Sequence, residues 1–461
     1  MTPIPFIGPA YKGRSDNYSS QRTVNLYLEP GKGKAPGLLI GTPGLTSPWV
    51  TLSGGGMRGM FLVDSSTAVM VCGTNVYAVT SAGASNLIGT IADDARPVQM
   101  AGNGTVIAIC SANVLYSVTP TGSSATYIRS DVSSVDFLDG YFTITESNSG
   151  RFYVSALYGT TIDPLDFATA EGLPDNLVSH TVSRRQVYLF GLQTTEQWYN
   201  SGGTDFPLSR IDGAFVELGL AAKDSLAELD NPIWIGGDDK GAGAVWTMNS
   251  GVPQRISTPA IEYAIAQWPD ITDAYAFTYT QEGHGFYVVS SISGNETWCY
   301  DFATNEWHQR AYLHASGDLH RIRPACHLYF ANKHLVGDWE TGNVYEYDLD
   351  TYSDNGNPLP AIRSCAILQS NLDQQSVASF RLDMDTGVGL TTGQGSDPQA
   401  MLRWSRDGGK TWSNALWRSF GRIGEYSRRC IWRRVGGGER IVFEVTITDP
   451  VKRNITGAYV E

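Results

Sequence analysis

The sequence has little charge and no long apolar run. Charged residues are 17% of the 461 positions, whereas disordered chains have many charges and few aromatics. No Gly-X-Y or heptad repeat is present, which excludes collagen-like and coiled-coil proteins. No stretch approaches eighteen consecutive apolar residues, so no membrane span is predicted. Residues 1–5 lack the basic start and apolar run of a secretion signal, so we expect a protein that stays in a cytoplasm or leaves it by lysis.

The cysteines are few and scattered. None lies in a Cys-x-x-Cys motif, and a chain of this length can bury a core without disulfides. We therefore expect reduced, mostly packed thiols. The six positions are Cys72, Cys110, Cys299, Cys326, Cys365 and Cys430.

Turn-forming and aromatic residues are abundant instead. The chain has 50 Gly and 21 Pro, together with 23 Tyr, 16 Phe and 12 Trp. This composition is typical of short strands joined by tight turns, and it predicts an all-β protein. At about 150 residues a domain, the length suggests roughly three units.

One hairpin pattern recurs along residues 67–349. An apolar strand and a polar turn are followed by a strand with a central aromatic, and these aromatics recur about every 45 residues, which is the length of a propeller blade. Because one such unit cannot bury its own faces, several must pack around an axis. The pattern predicts a six- or seven-bladed β-propeller over residues 51–360, in which distant chain ends could complete one blade. The marker aromatics are Tyr77, Tyr116, Tyr153, Trp198, Trp246, Trp298 and Tyr345.

The chain changes character on both sides of this region. Residues 1–50 are predicted to be an N-terminal arm with the first propeller strand. Residues 361–461 contain strand-like runs divided by Gly-rich turns, with a single aromatic hairpin of the earlier kind. They predict a C-terminal β-sandwich-like domain, although its first strands could instead close the propeller ring.

Residues 405–412 fit the Asp-box spacing Ser-x-Asp-x-Gly-x-Thr-Trp. An aspartate there can accept backbone N–H bonds, and glycine permits positive φ. We interpret the motif as a structural turn formed by Ser405, Asp407, Gly409 and Trp412. It resembles a motif of sialidases and other glycosidases, but a sialidase would also need an arginine cluster at the mouth of the propeller, a Tyr nucleophile and a nearby carboxylate, none of which the sequence marks. No catalytic residue is assigned, and a non-enzyme is predicted.

Metal-ligating patterns are weak. The spacings of five histidines are not those that place ligands on one face. The acidic pairs at 238–239 and 383–385 could bind a cation, but such pairs are common at turns. No metal and no cofactor is predicted. The histidines are His308, His314, His320, His327 and His334.

The charge is unevenly distributed. Residues 401–461 have 12 Lys+Arg and 6 Asp+Glu, a local net charge of +6. Because the net charge of the whole chain is −13, residues 1–400 carry a net charge of −19. Six arginines within 418–434 are either a solvated strand face, with stems packed over apolar neighbours, or a docking surface for an acidic partner or a neighbouring subunit. These candidate interface residues are Arg418, Arg422, Arg428, Arg429, Arg433 and Arg434.

Both ends of the chain resemble the packaged-DNA stabilisation proteins of short-tailed bacteriophages, also called tail accessory or tail hub proteins. Residues 14–29 contain the polar stretch and Asn-Leu-Tyr strand of that family, and a Pro-Gly turn follows at 43–44. Residues 380–390, 402–410 and 430–448 match the family's ending in order and spacing. Through the middle, only the hairpin architecture agrees.

The resemblance implies a structural virion protein of the tail, assembled in the host bacterial cytoplasm. It implies a ring, expected to be a hexamer, below the portal and its adaptor proteins, with attachment points for tail fibre, spike or needle proteins. Packaged DNA would pass without sequence-specific contact, and an acidic channel wall would keep phosphates from sticking. Two alternatives stay open: a sialidase-like or glycan-binding propeller, and a propeller adaptor that binds peptides.

Overall fold

The computed structural model describes residues 1–15, 19–31, 37–204, 206–238, 241–369 and 373–461. Strands dominate the fold, and the helical segments of these residues are an α-helix at Pro259–Ile265 and a 3-10 turn at Lys223–Ser225. Neither is long and apolar enough to cross a membrane. The all-β prediction is confirmed.

Seven antiparallel sheets, here called blades 1 to 7, form a ring within the described residues. The innermost strand of each blade contacts the next blade, and the innermost strands of blades 7 and 1 contact each other. Every marker aromatic lies in the third strand of its blade. The strands of blades 1 to 3, from the axis outward, are Met57–Leu62, Thr67–Cys72, Asn75–Thr80 and Ser85–Thr90; Gln99–Gly102, Ile107–Ser111, Val114–Val118 and Thr126–Ser130; and Val132–Leu138, Tyr141–Glu146, Arg151–Val154 and Phe167–Thr169.

Blades 4 to 6 repeat this arrangement, and the stretch around residues 165–231 contains the whole of blade 4. Blade 5 differs because two short strands share its inner position. The strands are Leu177–Ser183, Gln186–Gly191, Thr195–Asn200 and Leu208–Val216; Gly219–Leu220 with Ala227–Leu229, Asn231–Asp238, Gly241–Asn249 and Val252–Arg255; and Tyr275–Gln281, His284–Ser291, Glu296–Asp301 and Glu306–Arg310.

Blade 7 closes the ring with a strand from the other end of the propeller sequence. Its first three strands are Pro324–Phe330, Lys333–Asp338 and Asn343–Asp348, and its outer strand is Val50–Thr51. The ring is therefore fastened by pairing across about 290 residues of chain, and the expectation that distant segments complete one blade is met. Buried side chains between blades 7 and 1, among them Met57 and Leu335, form one apolar cluster.

The C-terminal unit is a β-sandwich of two sheets, as predicted. Phe380 lies at its centre, with ring centroids 4.7 Å from Phe443 and 5.8 Å from Trp432. The first sheet contains Cys430–Gly438, Gln375–Met384, Ile455–Val460, Gly37–Gly41, Leu26–Pro30 and Thr2–Ile4. The second contains Thr23–Val24, Ala361–Ser364, Val442–Ile447, Gln399–Ser405 and Leu416–Ser419.

The N-terminal residues belong mostly to the sandwich. Leu26–Pro30 and Gly37–Gly41 extend its first sheet, and Thr2–Ile4 pairs with the last strand of the chain. The buried side chains of Phe6, Leu26 and Leu39 lie in the sandwich core, and burying them there removes apolar surface that a free arm would expose. The predicted division is 1–50, 51–360 and 361–461. In the structure, residues 1–51 contain strands of both units, because most of them pair in the sandwich and Val50–Thr51 pairs in blade 7.

The two units share one sheet. Val24 pairs in parallel with Gln309 of the outer strand of blade 6 and in antiparallel with Ile362 of the sandwich. Short paired strands also lie in the connections, and one of them, Gly44–Leu45, pairs with the third strand of blade 7. They are Tyr11–Lys12 with Ser20–Gln21, Tyr312–Leu313 with Leu319–His320, and Ser353–Asp354 with Asn357–Pro358 and Gly44–Leu45.

Candidate functional site

Side chains from opposite blades meet over the propeller axis. Arg96 precedes the inner strand of blade 2, and Asp224 lies between the two short inner strands of blade 5. Their Nη2 and Oδ2 atoms are 2.8 Å apart. The same Nη2 donates to the carbonyl of Thr272, before blade 6, at 2.8 Å. In a seven-bladed ring these loops can meet only across the axis, so this end of the axial tunnel is closed by side chains.

Arg58 binds the loop that contains Arg96, residues 92–96. It is 5% exposed, and its guanidinium contacts Asp94 at 2.5 Å and Asp93 at 3.2 Å. It also donates to Ser111 and to three backbone carbonyls. All its nitrogens are thus engaged within the fold.

A third arginine lies in the same depression, a cavity of about 370 Å³ on this face. Arg321 precedes blade 7, its guanidinium carbon is 3.7 Å from the centre of the Trp339 ring, and its Nη1 donates to Tyr275 Oη at 2.9 Å. Burial raises the pKa of Tyr275, whereas a nucleophilic tyrosine needs a lowered one.

The structure therefore gathers three arginines, three aspartates and a tyrosine that the sequence did not mark as a set. Carboxylates of the fold bind Arg58 and Arg96, and Tyr275 is bound to Arg321, so these side chains hold the loops at this end of the propeller together. We call the Arg96–Asp224 contact the axial latch. One signal was available: Arg58, Arg96 and Arg321 each lie within the first two residues of a blade's inner strand or up to three residues before it.

The Asp-box residues lie far from this face, at an end of the sandwich. Asp407 Oδ1 accepts from Ser405 Oγ at 2.6 Å and from the N–H groups of Lys410 and Thr411 at 3.0 Å. Burial opposes its ionisation, but these hydrogen bonds outweigh burial and hold the pKa of Asp407 below its usual value. Gly409 has φ +107°, and a Cβ there would lie 3.1 Å from Ser20 Cβ. Trp412 is half-buried against the sandwich core, so these contacts are those of a turn.

Four of the five histidines lie in pairs, and the fifth, His308, accepts a hydrogen bond from Arg310. His327 Nε2 lies 3.1 Å from His334 Nδ1, and the rings of His314 and His320 stack at 4.4 Å. Burial lowers the pKa of His327 to about 3, and that of His308 is also lowered by burial. Nowhere in the described residues do three His, Cys, Asp or Glu side chains approach closely enough to hold a metal ion. The pair at 238–239 lies outside the described side chains.

All six candidate interface arginines are exposed. They lie on residues 416–434, here called the arginine edge, where the outer strands of both sandwich sheets, Leu416–Ser419 and Cys430–Gly438, come together. The segment also exposes three large apolar side chains, which the sequence analysis did not single out: Trp417 at 56%, Ile423 at 61% and Tyr426 at 75%. Aromatic residues and arginine are the types enriched at protein interfaces.

Comparison with known proteins covers both units. The family described as bacteriophage P22 Gp10, beta-propeller, matches residues 2–352, and that described as bacteriophage P22 Gp10, beta-sandwich, matches residues 365–461. No curated protein matches the chain significantly.

Similar solved structures are distant. The WD40 β-propeller domain of Doa1 is 11% identical with a TM-score of 0.40, over 65% of this chain and 95% of that chain. The extracellular domain of the putative hybrid two-component system BT4673 from B. thetaiotaomicron is 10% identical with a TM-score of 0.45, over 83% of this chain and 48% of that one, so the match spans about half of it. The N-terminal domain of Nup159 is 10% identical with a TM-score of 0.41, over 74% and 99%.

Proposed function

The chain belongs to the family of bacteriophage P22 Gp10, phage structural proteins that stabilise packaged DNA, and from this premise we propose that it is a tail hub or nozzle subunit. In this proposal it attaches below the portal-adaptor, forms a ring of six copies, helps retain DNA and lines part of the exit channel. It acts without catalysis. Its place is the virion tail, after assembly in the host cytoplasm, and its other partners are tail fibre, spike or needle proteins.

The proposed path of DNA rests on one observation, that side chains close the axial tunnel of the propeller. Arg96 and Asp224 meet across the propeller, whereas the major groove alone of a DNA duplex is about 12 Å wide. A duplex therefore cannot pass through one propeller. DNA has to pass between copies of the chain, along a passage that only a ring provides.

The charge distribution supports such a passage. Residues 1–400 carry 21 Lys+Arg against 40 Asp+Glu, and a duplex bears one phosphate charge per about 1.7 Å of axis. An acidic wall repels these phosphates and lets the duplex slide. Replacing channel-facing carboxylates by lysine is expected to slow ejection in a salt-dependent way; unchanged ejection rates would contradict this part of the proposal.

The decisive experiment is removal of the protein from the particle. Particles assembled without it should package DNA and then lose it, as measured by nuclease-accessible DNA, and added purified protein should restore retention. Stable DNA in particles that lack the chain would refute the proposal. The glycan-directed alternative is tested with a fluorogenic sialoside. We expect no turnover, because carboxylates of the fold bind Arg58 and Arg96, and Arg321 donates to Tyr275.

A further inference from the structure

The arginine edge carries charge that the fold does not neutralise. Its 19 residues contain six arginines and one acidic residue, Glu425, a net +5. Within the described residues, Arg422 alone of the six approaches a carboxylate, at 3.8 Å from Asp397. Since Trp417, Ile423 and Tyr426 are also exposed here, the edge combines free cations with apolar side chains.

The outer rim of blade 3 has the opposite character, apart from Arg151 of the neighbouring strand, whose guanidinium carbon lies 4.8 Å from the centre of the Phe167 ring. Residues 157–173, here called the acidic rim, contain Asp163, Asp166 and Glu171 and no Lys or Arg. All three acids are exposed. The rim also exposes large apolar side chains, of which Leu165 at 82% is the most exposed in the described part of the chain; the others are Leu157 at 57%, Tyr158 at 67%, Phe167 at 37% and Leu173 at 42%.

These two surfaces complement each other in charge and in apolar content. Each is a segment of 17 to 19 residues, close to the roughly 20–30 residues a side of a standard interface. They lie on different units of one chain, the sandwich and blade 3, so a contact between them joins two copies head to tail. Such a heterologous contact repeats from copy to copy and closes into a ring when the rotation allows.

We propose that the arginine edge of one copy docks on the acidic rim of the next copy, with Tyr426 and Trp417 packing against Leu165 and its apolar neighbours. This inference rests on the proposed function, because it names the contact that builds the proposed ring. Arg428 and Arg429 face Asp163 and Asp166 in this contact. Charge complementarity is the reason for choosing a second copy of the chain as the partner of the arginine edge, because the chain itself has an acidic surface that matches the edge.

Charge reversal with rescue tests the proposal on the full-length chain. We expect Arg428→Glu with Arg429→Glu, and separately Asp163→Lys with Asp166→Lys, each to lower the number of copies per particle at least about tenfold, since like charges in an interface cost several kcal/mol. The chain carrying all four changes should recover wild-type incorporation. The matched control reverses another exposed arginine pair, Arg184→Glu with Arg185→Glu on blade 4, and should incorporate normally.

Two results overturn the docking proposal and leave the proposed function standing. One is normal incorporation of both reversed chains. The other is a defect of the arginine variant that the acidic-rim changes do not rescue, which would assign the edge to a different protein. Stable DNA in particles without the chain would instead refute the function.

A covalent test avoids any effect of charge on folding. A chain with Tyr426→Cys and Leu165→Cys should form disulfide-linked multimers in particles on mild oxidation, because five of the six native cysteines are buried and the sixth is half-buried. Tyr329→Cys with Leu165→Cys is the control, since Tyr329 is 53% exposed on blade 7. Multimers from the control alone, or from neither chain, contradict the proposed pairing.

Discussion

Asn25 and Ala311 exchange two hydrogen bonds where the propeller meets the sandwich. The amide Nδ2 of Asn25 donates to the carbonyl of Ala311 at 2.8 Å, and the N–H of Ala311 donates to Asn25 Oδ1 at 2.9 Å. Nδ2 also donates to the carbonyl of Pro360 in the connection between the units, at 2.8 Å. Asn25 is the asparagine of the Asn-Leu-Tyr stretch, so that stretch holds three segments of chain together.

Replacing Asn25 should therefore destabilise the whole molecule. Asn25→Ala leaves three buried backbone groups without partners and places alanine at φ +52°, and we expect a loss of about 3 kcal/mol in the free energy of unfolding. Asn148→Ala is the matched control. Asn148 has φ +56° but is exposed, so its replacement should cost only about 1 kcal/mol. Equal losses in denaturant unfolding would show that Asn25 acts through its backbone conformation alone.

The axial latch makes a second prediction. Arg96→Ala leaves Asp224 buried, with 7% of its side chain exposed, and should lower the free energy of unfolding by about 2 kcal/mol. The cost stays below that of a fully buried pair because Arg96 itself is 28% exposed. Arg185→Ala removes an ion pair whose arginine is 80% exposed, and it should change stability by less than about 0.5 kcal/mol. A similar small effect for Arg96→Ala would mean that the latch is not a stabilising contact.

A third prediction concerns the pH dependence of stability. Burial raises the pKa of Asp354 to about 7, against the opposing effects of Arg453 and Arg323. The folded chain then holds a proton on Asp354 between about pH 4 and 7 that the unfolded chain releases, so stability falls as pH rises through this window, by at most about 1.4 kcal/mol per unit. Asp354→Asn should flatten this fall in urea unfolding at a series of pH values.

Asp136 provides the internal comparison for that experiment. Burial raises its pKa to about 6, against hydrogen bonds from Val182 and Phe137, so it contributes a fall of the same sign at lower pH. The Asp354→Asn chain should keep only the shallower fall between about pH 4 and 6 that Asp136 contributes, and should lose the fall between about pH 6 and 7. A profile identical to that of the wild-type chain would show that Asp354 stays ionised in the fold.

The Asp-box turn makes the fourth prediction. Asp407→Asn keeps the size of the side chain but weakens the acceptor of the Lys410 and Thr411 N–H groups, and should cost about 1–2 kcal/mol. Because the pKa of Asp407 is lowered by the fold, its stabilisation is present above about pH 4 and is lost as pH falls below that value. Asp212→Asn, at an exposed aspartate of blade 4, should be neutral. Thermal melting of both variants at pH 7 and pH 3 measures the difference.

The repeating hairpins were predictable because each is encoded locally. An apolar strand, a polar turn and a central aromatic lie within about 20 residues, and all seven markers, from Tyr77 to Tyr345, fall on the third strand of a blade. The exposure of the six arginines also followed from their type. Sequence patterns did not indicate which side chains lie next to one another. They did not show that Trp417 and Tyr426 are exposed beside the arginines. They also did not show that Arg58, Arg96 and Arg321 line one depression.

The sequence by itself determined the all-β class, the blade period and the turn at Asp407, since these depend on residues that are neighbours in the chain. Tertiary structure alone decided that Val50 and Thr51 complete blade 7, that Leu26 and Leu39 enter the sandwich core, and that Arg96 closes the axis against Asp224. Each of those contacts joins segments from about a hundred to more than four hundred residues apart. They form because the ring and the sandwich bury complementary surfaces, and that complementarity exists only once the chain has folded.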